Sequence, residues 1–364
     1  MTDPVNKRMA AFVSPHGFGH AARATAVMEA LQEKDPSWGF DIFTTVPEWF
    51  FAASLSGAFT YHPLLTDIGL KQRTPLEADL SGTVRLLDGL FPPDPTRIRA
   101  LARSLSEAGC RGILCDISPL GIAVAREAGI PSVLIENFTW DWIYGGYAGK
   151  PEGLGRHAAF LKGLFEKADF HIQTAPACRR NAPDLIIRPV CRKPRDSRWK
   201  TRERLGIPRE APLVLITMGG IPDRFPFLRK LEDHPDVRFI IAGASENMET
   251  RGRLLLLPSR SEYFHPDLIR ASDAVIGKLG YSTMAEVYEA GTPFGYIASR
   301  GFPESRVLVS FVRRRMRAVA VGDPDFYRGA WLDLLPSILA LPRIRRRGIR
   351  GADQAAEFIS RVLS

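Results

Sequence analysis

The sequence predicts an α/β protein built from two doubly wound, Rossmann-like domains that face each other across a cleft. Short β-rich apolar runs alternate with helical patterns along the whole chain. That alternation is broken once, by an Arg-, Lys- and Pro-rich stretch from Pro189 to Lys200 with no apolar period. In each half, a strand runs straight into a glycine-rich turn and then a helix. Continuous rather than alternating apolar strands are those of a parallel sheet covered on both faces.

In the first half, Met9–Val13 reads as a buried strand, followed by a glycine turn and a helix from about Ala21 to Lys34. Strands follow at Phe40–Thr44, Gly112–Cys115 and Ser132–Ile135, the last two separated by a helix over Gly121–Ala128. His171–Thr174 and Leu185–Arg188 complete this sheet. The second half restarts at Leu213–Met218 and continues with strands at Arg238–Ala242, Leu254–Leu257, Ala274–Ile276, Pro293–Ile297 and Ala318–Val321. Asp353–Leu363 reads as an amphipathic helix. The expected organisation is a first domain over 1–190, a linker over 191–200, a second domain over 201–350 and a C-terminal helix over 351–364.

Lysine and arginine exceed aspartate and glutamate by 49 − 40 = 9 among 364 residues, which favours anionic partners. The excess is concentrated late, in Arg313–Arg315 with Arg317 and in Arg343, Arg345–Arg347 and Arg350. These residues read either as a solvated face or as a contact for an anionic acceptor or a membrane surface, and no specific nucleic-acid signal accompanies them. Cys110, Cys115, Cys178 and Cys191 form no C-x-x-C pair and have no histidines at metal spacing, so buried free thiols are expected. The apolar stretch at Met9–Val13 is too short for a signal peptide, and no run reaches the length of a membrane span. A cytoplasmic protein is the expectation.

Ser14-Pro15-His16-Gly17-Phe18-Gly19-His20 lies where the first strand meets the first helix. Its glycines allow a tight turn and leave backbone N–H groups directed outward at a helix N-terminus, an anion site. Gly17, Gly19 and Ala22 match the dinucleotide fingerprint formally. The acid that fingerprint needs at the end of the second strand is missing, because that strand ends Phe43-Thr44-Thr45-Val46. His16 and His20 bracket the turn, and an imidazole at a strand's carboxyl end faces the cleft. His20 is therefore the candidate general base, with His16 behind it. Asp116 ends a neighbouring strand; it either orients an imidazole or, with Ser118, caps a helix.

The second turn is the stronger signal. In Ile276-Gly277-Lys278-Leu279-Gly280-Tyr281-Ser282-Thr283-Met284-Ala285-Glu286, a strand runs into glycines, then into hydroxyls at a helix start. Free N–H groups, hydroxyls and the charge of Lys278 suit a diphosphate, and Glu286 one turn inside suits a ribose diol. Gly219-Gly220 offers another close approach, and Glu304 with Ser305 could bind sugar hydroxyls. Asn137–Tyr144 is aromatic enough for a sugar or lipid platform, with interdomain core as the other reading. Trp49-Phe50-Phe51 reads as buried helix packing rather than a membrane patch.

Taken in order, these motifs resemble the GT-B-fold glycosyltransferases. In particular the chain is similar to the glycosyltransferase-like N-terminal region of plant L-arabinokinase and its bacterial relatives. The residues carrying that likeness are His16-Gly17-Phe18-Gly19-His20 with Arg23, Asp67-x-Gly69-x-x-Gln72, Asn137–Tyr144 and Gly277–Thr283. The resemblance implies that the second domain binds a nucleoside-diphosphate sugar, with a uridine or thymidine base expected. It implies that Gly277, Lys278, Gly280, Tyr281, Ser282, Thr283, Gly219, Gly220 and Glu286 hold the nucleotide, and that Glu304 and Ser305 hold the sugar. Gly17, Gly19, Arg23, Asn137 and Trp140 would then lie on the acceptor side, with His20 as base and Asp116 and His16 beside it. Such enzymes commonly invert the anomeric centre without a metal, which fits a sequence read as having no D-x-D triad of metal-binding acids, so no cofactor is expected. The sugar-kinase domain of the arabinokinase relatives is not expected within these residues. An epimerase or hydrolase on the same fold, or a non-catalytic sugar-nucleotide-binding module, are the alternatives.

Overall fold

Every apolar run singled out in the first half becomes a strand of one parallel sheet. The computed structural model describes residues 6–74, 77–147, 149, 151–219 and 225–363. The strands of the first half are β1 (Lys7–Val13), β2 (Trp38–Thr44), β3 (Phe59–Pro63), β4 (Gln72–Thr74), β5 (Glu77–Ala78), β6 (Cys110–Asp116), β7 (Ser132–Glu136), β8 (Phe170–Thr174) and β9 (Leu185–Ile187). Seven of them form a sheet in the order β3-β2-β1-β6-β7-β8-β9, and β4 pairs with β5 in a small antiparallel ribbon.

The second half supplies β10 (Leu213–Thr217), β11 (Arg238–Ala242), β12 (Glu249–Arg251), β13 (Leu254–Leu257), β14 (Ala274–Lys278), β15 (Phe294–Ile297) and β16 (Ala318–Ala320). Their order is β12-β13-β11-β10-β14-β15-β16, all parallel except the edge strand β12. This is the mixed α/β architecture of two Rossmann-like domains.

Side-chain alternation decides what covers each sheet. On β1, Met9, Ala11 and Val13 enter one core with the helix Phe18–Lys34, while Ala10 and Phe12 enter the opposite core. Ala352, Ala355, Ala356, Ile359 and Leu363 recur at helical spacing, so the helix Gly351–Val362 has a continuous apolar face. That face packs into the first sheet's core rather than the second's, carrying the C-terminus back across the molecule.

Three local features depart from the sequence reading. β3 and β12 are additional strands, both short edges whose partly exposed residues lack a continuous apolar run. A helix, Arg198–Arg204, begins inside the stretch read as linker, capped by the Ser197 hydroxyl accepting from the Lys200 N–H. The first long helix starts at Phe18, three residues before its apolar period becomes visible. The cysteines are free thiols, and Cys178 is only half-buried. Phe50 and Phe51 are buried, Phe18 stacks on Phe50 at 5.0 Å, and the partly buried Trp49 packs against the same core. No helix among the described residues is long and apolar enough to cross a membrane.

Candidate functional site

Each sheet reverses its strand order once, between β1 and β6 and between β10 and β14. Ligands of open α/β sheets bind beyond the strand ends at such a point. Both glycine turns sit there and meet each other: a side chain on Gly19 would approach the Ser282 Oγ to 3.4 Å.

In the first half, Gly17 takes φ 70° and ψ −173°, backbone open to glycine alone, and the helix starts at the next residue. His20 and Arg23 lie one helical turn apart on a shared face and converge on Asp116 at the end of β6. His20 Nδ1 lies 2.9 Å from Asp116 Oδ1, and Arg23 donates from Nε to Oδ2 at 2.8 Å and from Nη2 to Oδ1 at 2.5 Å. Burial alone would raise the Asp116 carboxyl, but the Arg23 charge and the bonds from both partners hold it below the usual carboxylate range. An ionised Asp116 only accepts, so His20 donates through Nδ1 and Nε2 is its basic nitrogen. Burial lowers the His20 pKa, and Asp116 offsets that in part. Asp116 thus orients the imidazole, while the Ser118 hydroxyl makes no cap bond. Ile117 follows at φ 44°, a strained conformation for a β-branched residue that swings the chain away directly after the carboxylate.

His16 stands edge-on to Trp140 at 5.2 Å and accepts at Nδ1 from the Leu70 N–H at 3.3 Å. Burial, His20 and Lys278 hold its pKa down at about 3, so it is neutral. The Asp67-x-Gly69-x-x-Gln72 motif explains itself here. Gly69, at φ 60°, lies against His16, where any side chain would come within 2.6 Å of its Cβ. Asp67 accepts from the Ser14 hydroxyl at 2.8 Å, and burial raises its pKa to about 8. Gln72 reaches the cavity wall.

In the second half, Gly277 is buried, because a Cβ there would fall 2.0 Å from the Thr217 carbonyl oxygen on β10. Its role is close strand packing, and it lines neither cavity. The helix Tyr281–Ala290 begins without a side-chain cap, so its first N–H groups are open to a ligand. Glu286, expected at a ribose, is buried and doubly anchored: Arg192 Nε donates to Oε1 at 3.0 Å, and His265 Nδ1 lies 2.8 Å from Oε2. Burial works against its ionisation, but Arg192 and His265 prevail and keep its pKa low.

Across the cleft, Arg23 Nη1 donates to Asn137 Oδ1 at 2.7 Å, and Asn137 Nδ2 donates to Glu304 Oε1 at 2.6 Å. The Arg23 guanidinium also lies 5.3 Å from the Tyr281 ring. Glu304 is 4% exposed, and burial lifts its pKa to about 7 despite Asn137, Arg23 and Lys278.

Two cavities open on either side of the second helix's N-terminus. One, of about 420 Å³, is lined by His16–His20, Gln72, Phe138, Lys278, Arg300 and Glu304, among others. The other, of about 350 Å³, is lined by Tyr263, Phe264, His265, Leu257, Arg192 and Glu286, among others. Phe18, Gly219, Ser282 and Thr283 line both. The junction is therefore where the N-termini of the helices Phe18–Lys34 and Tyr281–Ala290 meet, each carrying about half a positive charge.

Several sequence expectations need correction. Trp140 is fully buried beneath His16 and His20 and lines neither cavity, so it supports the imidazoles instead of touching an acceptor. Ser305 is buried and lines neither cavity, although its neighbour Glu304 lines the larger one. Arg23 and Asn137 do line the larger cavity, with polar atoms also engaged on each other and on Asp116 and Glu304. Gly220 lies outside the described residues. A D-x-D triplet does occur, Asp323-Pro324-Asp325, but it opens a helix away from both cavities, and Asp325 pairs with Arg328. Among the described residues no group of three His, Cys, Asp or Glu could hold a metal ion. Arg192, His265 and Phe264 were not anticipated, since only pairing over long sequence distances marks them. Of the late arginines, Arg343 and Arg346 are structural, donating to carbonyls of Ser272 and Arg270 and of Tyr288 and Arg315. Arg345 and Arg347 are exposed.

No protein-family model matches the chain. It is 27% identical over 358 residues to L-arabinokinase of Arabidopsis thaliana, covering 96% of this chain and 34% of that protein. The chain thus spans about a third of that relative's length. It is 24% identical over 281 residues to an uncharacterized glycosyltransferase, MK0977, of Methanopyrus kandleri, covering 73% of this chain and 80% of the relative. Among solved structures it superimposes on a UDP-glucosyltransferase from Polygonum tinctorium with TM-score 0.63 at 14% identity, covering 100% and 99% of the two chains. Arabidopsis thaliana UGT89C1 complexed with UDP-L-rhamnose gives 0.62 at 13% identity, covering 98% of each. MurG of Acinetobacter baumannii gives 0.54 at 12% identity, covering 98% and 99%. Identities this low speak for architecture alone, and on that ground the chain has the GT-B glycosyltransferase fold.

Proposed function

We propose that this protein is a glycosyltransferase that moves a sugar from a nucleoside diphosphate to a hydroxyl acceptor, with inversion and without a metal cofactor. One observation carries the reading: two cavities join at a pair of facing helix N-termini, with His20 on one wall and Glu304 on the other. The aromatic cavity beside Tyr263 and Phe264 suits the nucleoside, with Glu286 at the ribose. The junction at Ser282 and Thr283 suits the diphosphate, whose charge the helix N-termini and Lys278 would balance. The larger cavity then takes the sugar, near Glu304, and the acceptor, near His20.

A panel of nucleoside diphosphates and their sugars tests the reading, since a ligand of the native state raises the melting temperature. The expected result is stabilisation by a uridine or thymidine diphosphate sugar in the presence of EDTA, and product of opposite anomeric configuration by proton NMR. Retained configuration would discard the single displacement. Release of nucleoside diphosphate at full rate without acceptor would favour a hydrolase.

Glu304 gives this assignment a pH dependence. Facing Lys278, Arg23, Asn137 and Cys178, its carboxyl titrates near 7. Only the carboxylate makes charge-assisted bonds to sugar hydroxyls. The affinity advantage of the nucleotide sugar over the bare nucleoside diphosphate should therefore grow from pH 6 to pH 8. Calorimetric titration should show this in the native protein and a flat profile in Glu304→Gln.

The exposed Arg345 and Arg347 belong to the basic surface proposed for an anionic acceptor or lipid headgroup. Replacing both by Glu should leave nucleotide affinity unchanged and abolish low-salt cosedimentation with anionic vesicles. Unaltered cosedimentation would reduce these residues to solvated surface.

A further inference from the structure

Five side chains form one hydrogen-bonded series from the first sheet to the second: His20, Asp116, Arg23, Asn137 and Glu304. None is more than 7% exposed, and the series closes a gap of 167 residues in sequence between Asn137 and Glu304. Its two ends, His20 and Glu304, line the same cavity. We propose that Asn137 is a cross-cleft positioning residue, holding the Glu304 carboxyl of the second domain in register with the Arg23–Asp116–His20 group of the first. The role of the two ends rests on the transferase reading above; the mechanical coupling does not.

An asparagine is the side chain this place demands. Its Oδ1 accepts from a guanidinium, and its Nδ2 donates to a carboxyl, so one amide faces a cation and an acid at once. Aspartate would offer no donor to Glu304 and would add a second acid beside it. A serine would be too short to span both. At 1% exposure Asn137 meets solvent only at the cavity it lines, so a lost partner leaves a largely buried polar group unpaired. The position also explains why Arg23 is so fixed. Both Asp116 oxygens engage it in the first domain, and the Tyr281 ring of the second domain covers it. The second domain therefore bears on Arg23 directly and on His20 through Arg23 and Asp116. A sugar hydroxyl that pulls on Glu304 is felt, through Asn137 and Arg23, at the imidazole.

The test reads His20 directly and needs no turnover. The imidazole 15N resonances of the full chain, assigned with His20→Gln, are recorded at one pH in the native protein, Asn137→Ala, Glu304→Ala and Glu304→Gln. Both alanine variants should displace the His20 signals. Glu304→Gln, which removes the charge but keeps an oxygen to accept from Asn137, should leave them in place. The double variant Asn137→Ala/Glu304→Ala should displace them no further than either single change. His20 signals at native positions in Glu304→Ala, or equal displacement in Glu304→Gln, would overturn the proposal. If Asn137→Ala does not fold, the two Glu304 variants decide alone, since Glu304 makes no hydrogen bond to His20. In turnover, Asn137→Ala should lower kcat by about 10²-fold, as misplacement of a reacting group does, with nucleoside-diphosphate affinity unchanged. A native protein that turns over no donor would sink the transferase reading and leave the resonance comparison standing.

Discussion

His20→Ala is expected to lower turnover by about 10²–10⁴-fold while nucleoside-diphosphate affinity barely changes. In a single displacement the acceptor hydroxyl must lose a proton as it attacks the anomeric carbon. Under the proposed reading Nε2 of His20 would take it, because Nδ1 is committed to Asp116 at 2.9 Å. The pH profile follows from burial. A base works when deprotonated, and burial lowers the His20 pKa from its ordinary value of 6.5. Activity should therefore survive acidification past the usual histidine range and fall only as pH drops through that lowered value. His16→Ala should cost less, since His16 is neutral and its Nδ1 already accepts from Leu70. Asp116→Asn should fall between, through a misoriented ring. Steady-state kinetics across pH 4–9 (about the range in which histidine and carboxylates titrate) check all three. Full activity in His20→Ala would remove the base.

Arg23→Ala should be the most destabilising single change at the site, by roughly 3–5 kcal/mol, because it leaves the buried Asp116 charge without its partner. Arg23 is 1% exposed and Asp116 fully buried, so solvent cannot compensate. The sign of the pH effect separates this from loss of packing. In the native protein the Asp116 pKa is lowered, so its contribution is complete above the unfolded carboxylate pKa of about 3.9 and fades as pH falls below it. Without Arg23, burial would dominate and raise that pKa, so protonation would relieve the variant. The deficit measured by urea unfolding should be large at neutral pH and shrink on acidification. A deficit independent of pH would assign the loss to the cavity left by the side chain.

The parallel strands were legible because strands covered on both faces must be apolar throughout, as Leu213–Thr217 is. The edge strand Phe59–Pro63 was not, since none of its residues is fully buried and it ends in proline. The two glycine turns were legible as local patterns, and so were His20 and Glu304. What those residues touch was not. Arg192 sat in a basic linker with nothing to tie it to Glu286, 94 residues later. Trp140 looked like a binding surface because an aromatic run carries no sign of its burial, which arises from Tyr144, Phe138 and the histidines around it. Asn137 and Arg23 were placed at the cavity they do line, but the protein partners that hold their polar atoms are revealed only by the folded arrangement.

The chain passes between the two sheets twice, and the two passages touch. Beyond β9 it leaves the first sheet, and from Ile344, bonded to Gly291, it returns to the helix Gly351–Val362. There Arg188 donates to the carbonyls of Arg347 and Ile349, and Gly351 is pressed so closely on the Arg188 carbonyl that a Cβ would stand 2.3 Å from it. A single connecting strand would act as a swivel, free to turn as well as bend. Two bonded strands act as a door hinge: they define one axis and suppress rotation about the connection. Any opening of the proposed nucleotide-sugar cleft would then follow one axis, and closure would bring Asn137 back to Glu304 in the same register.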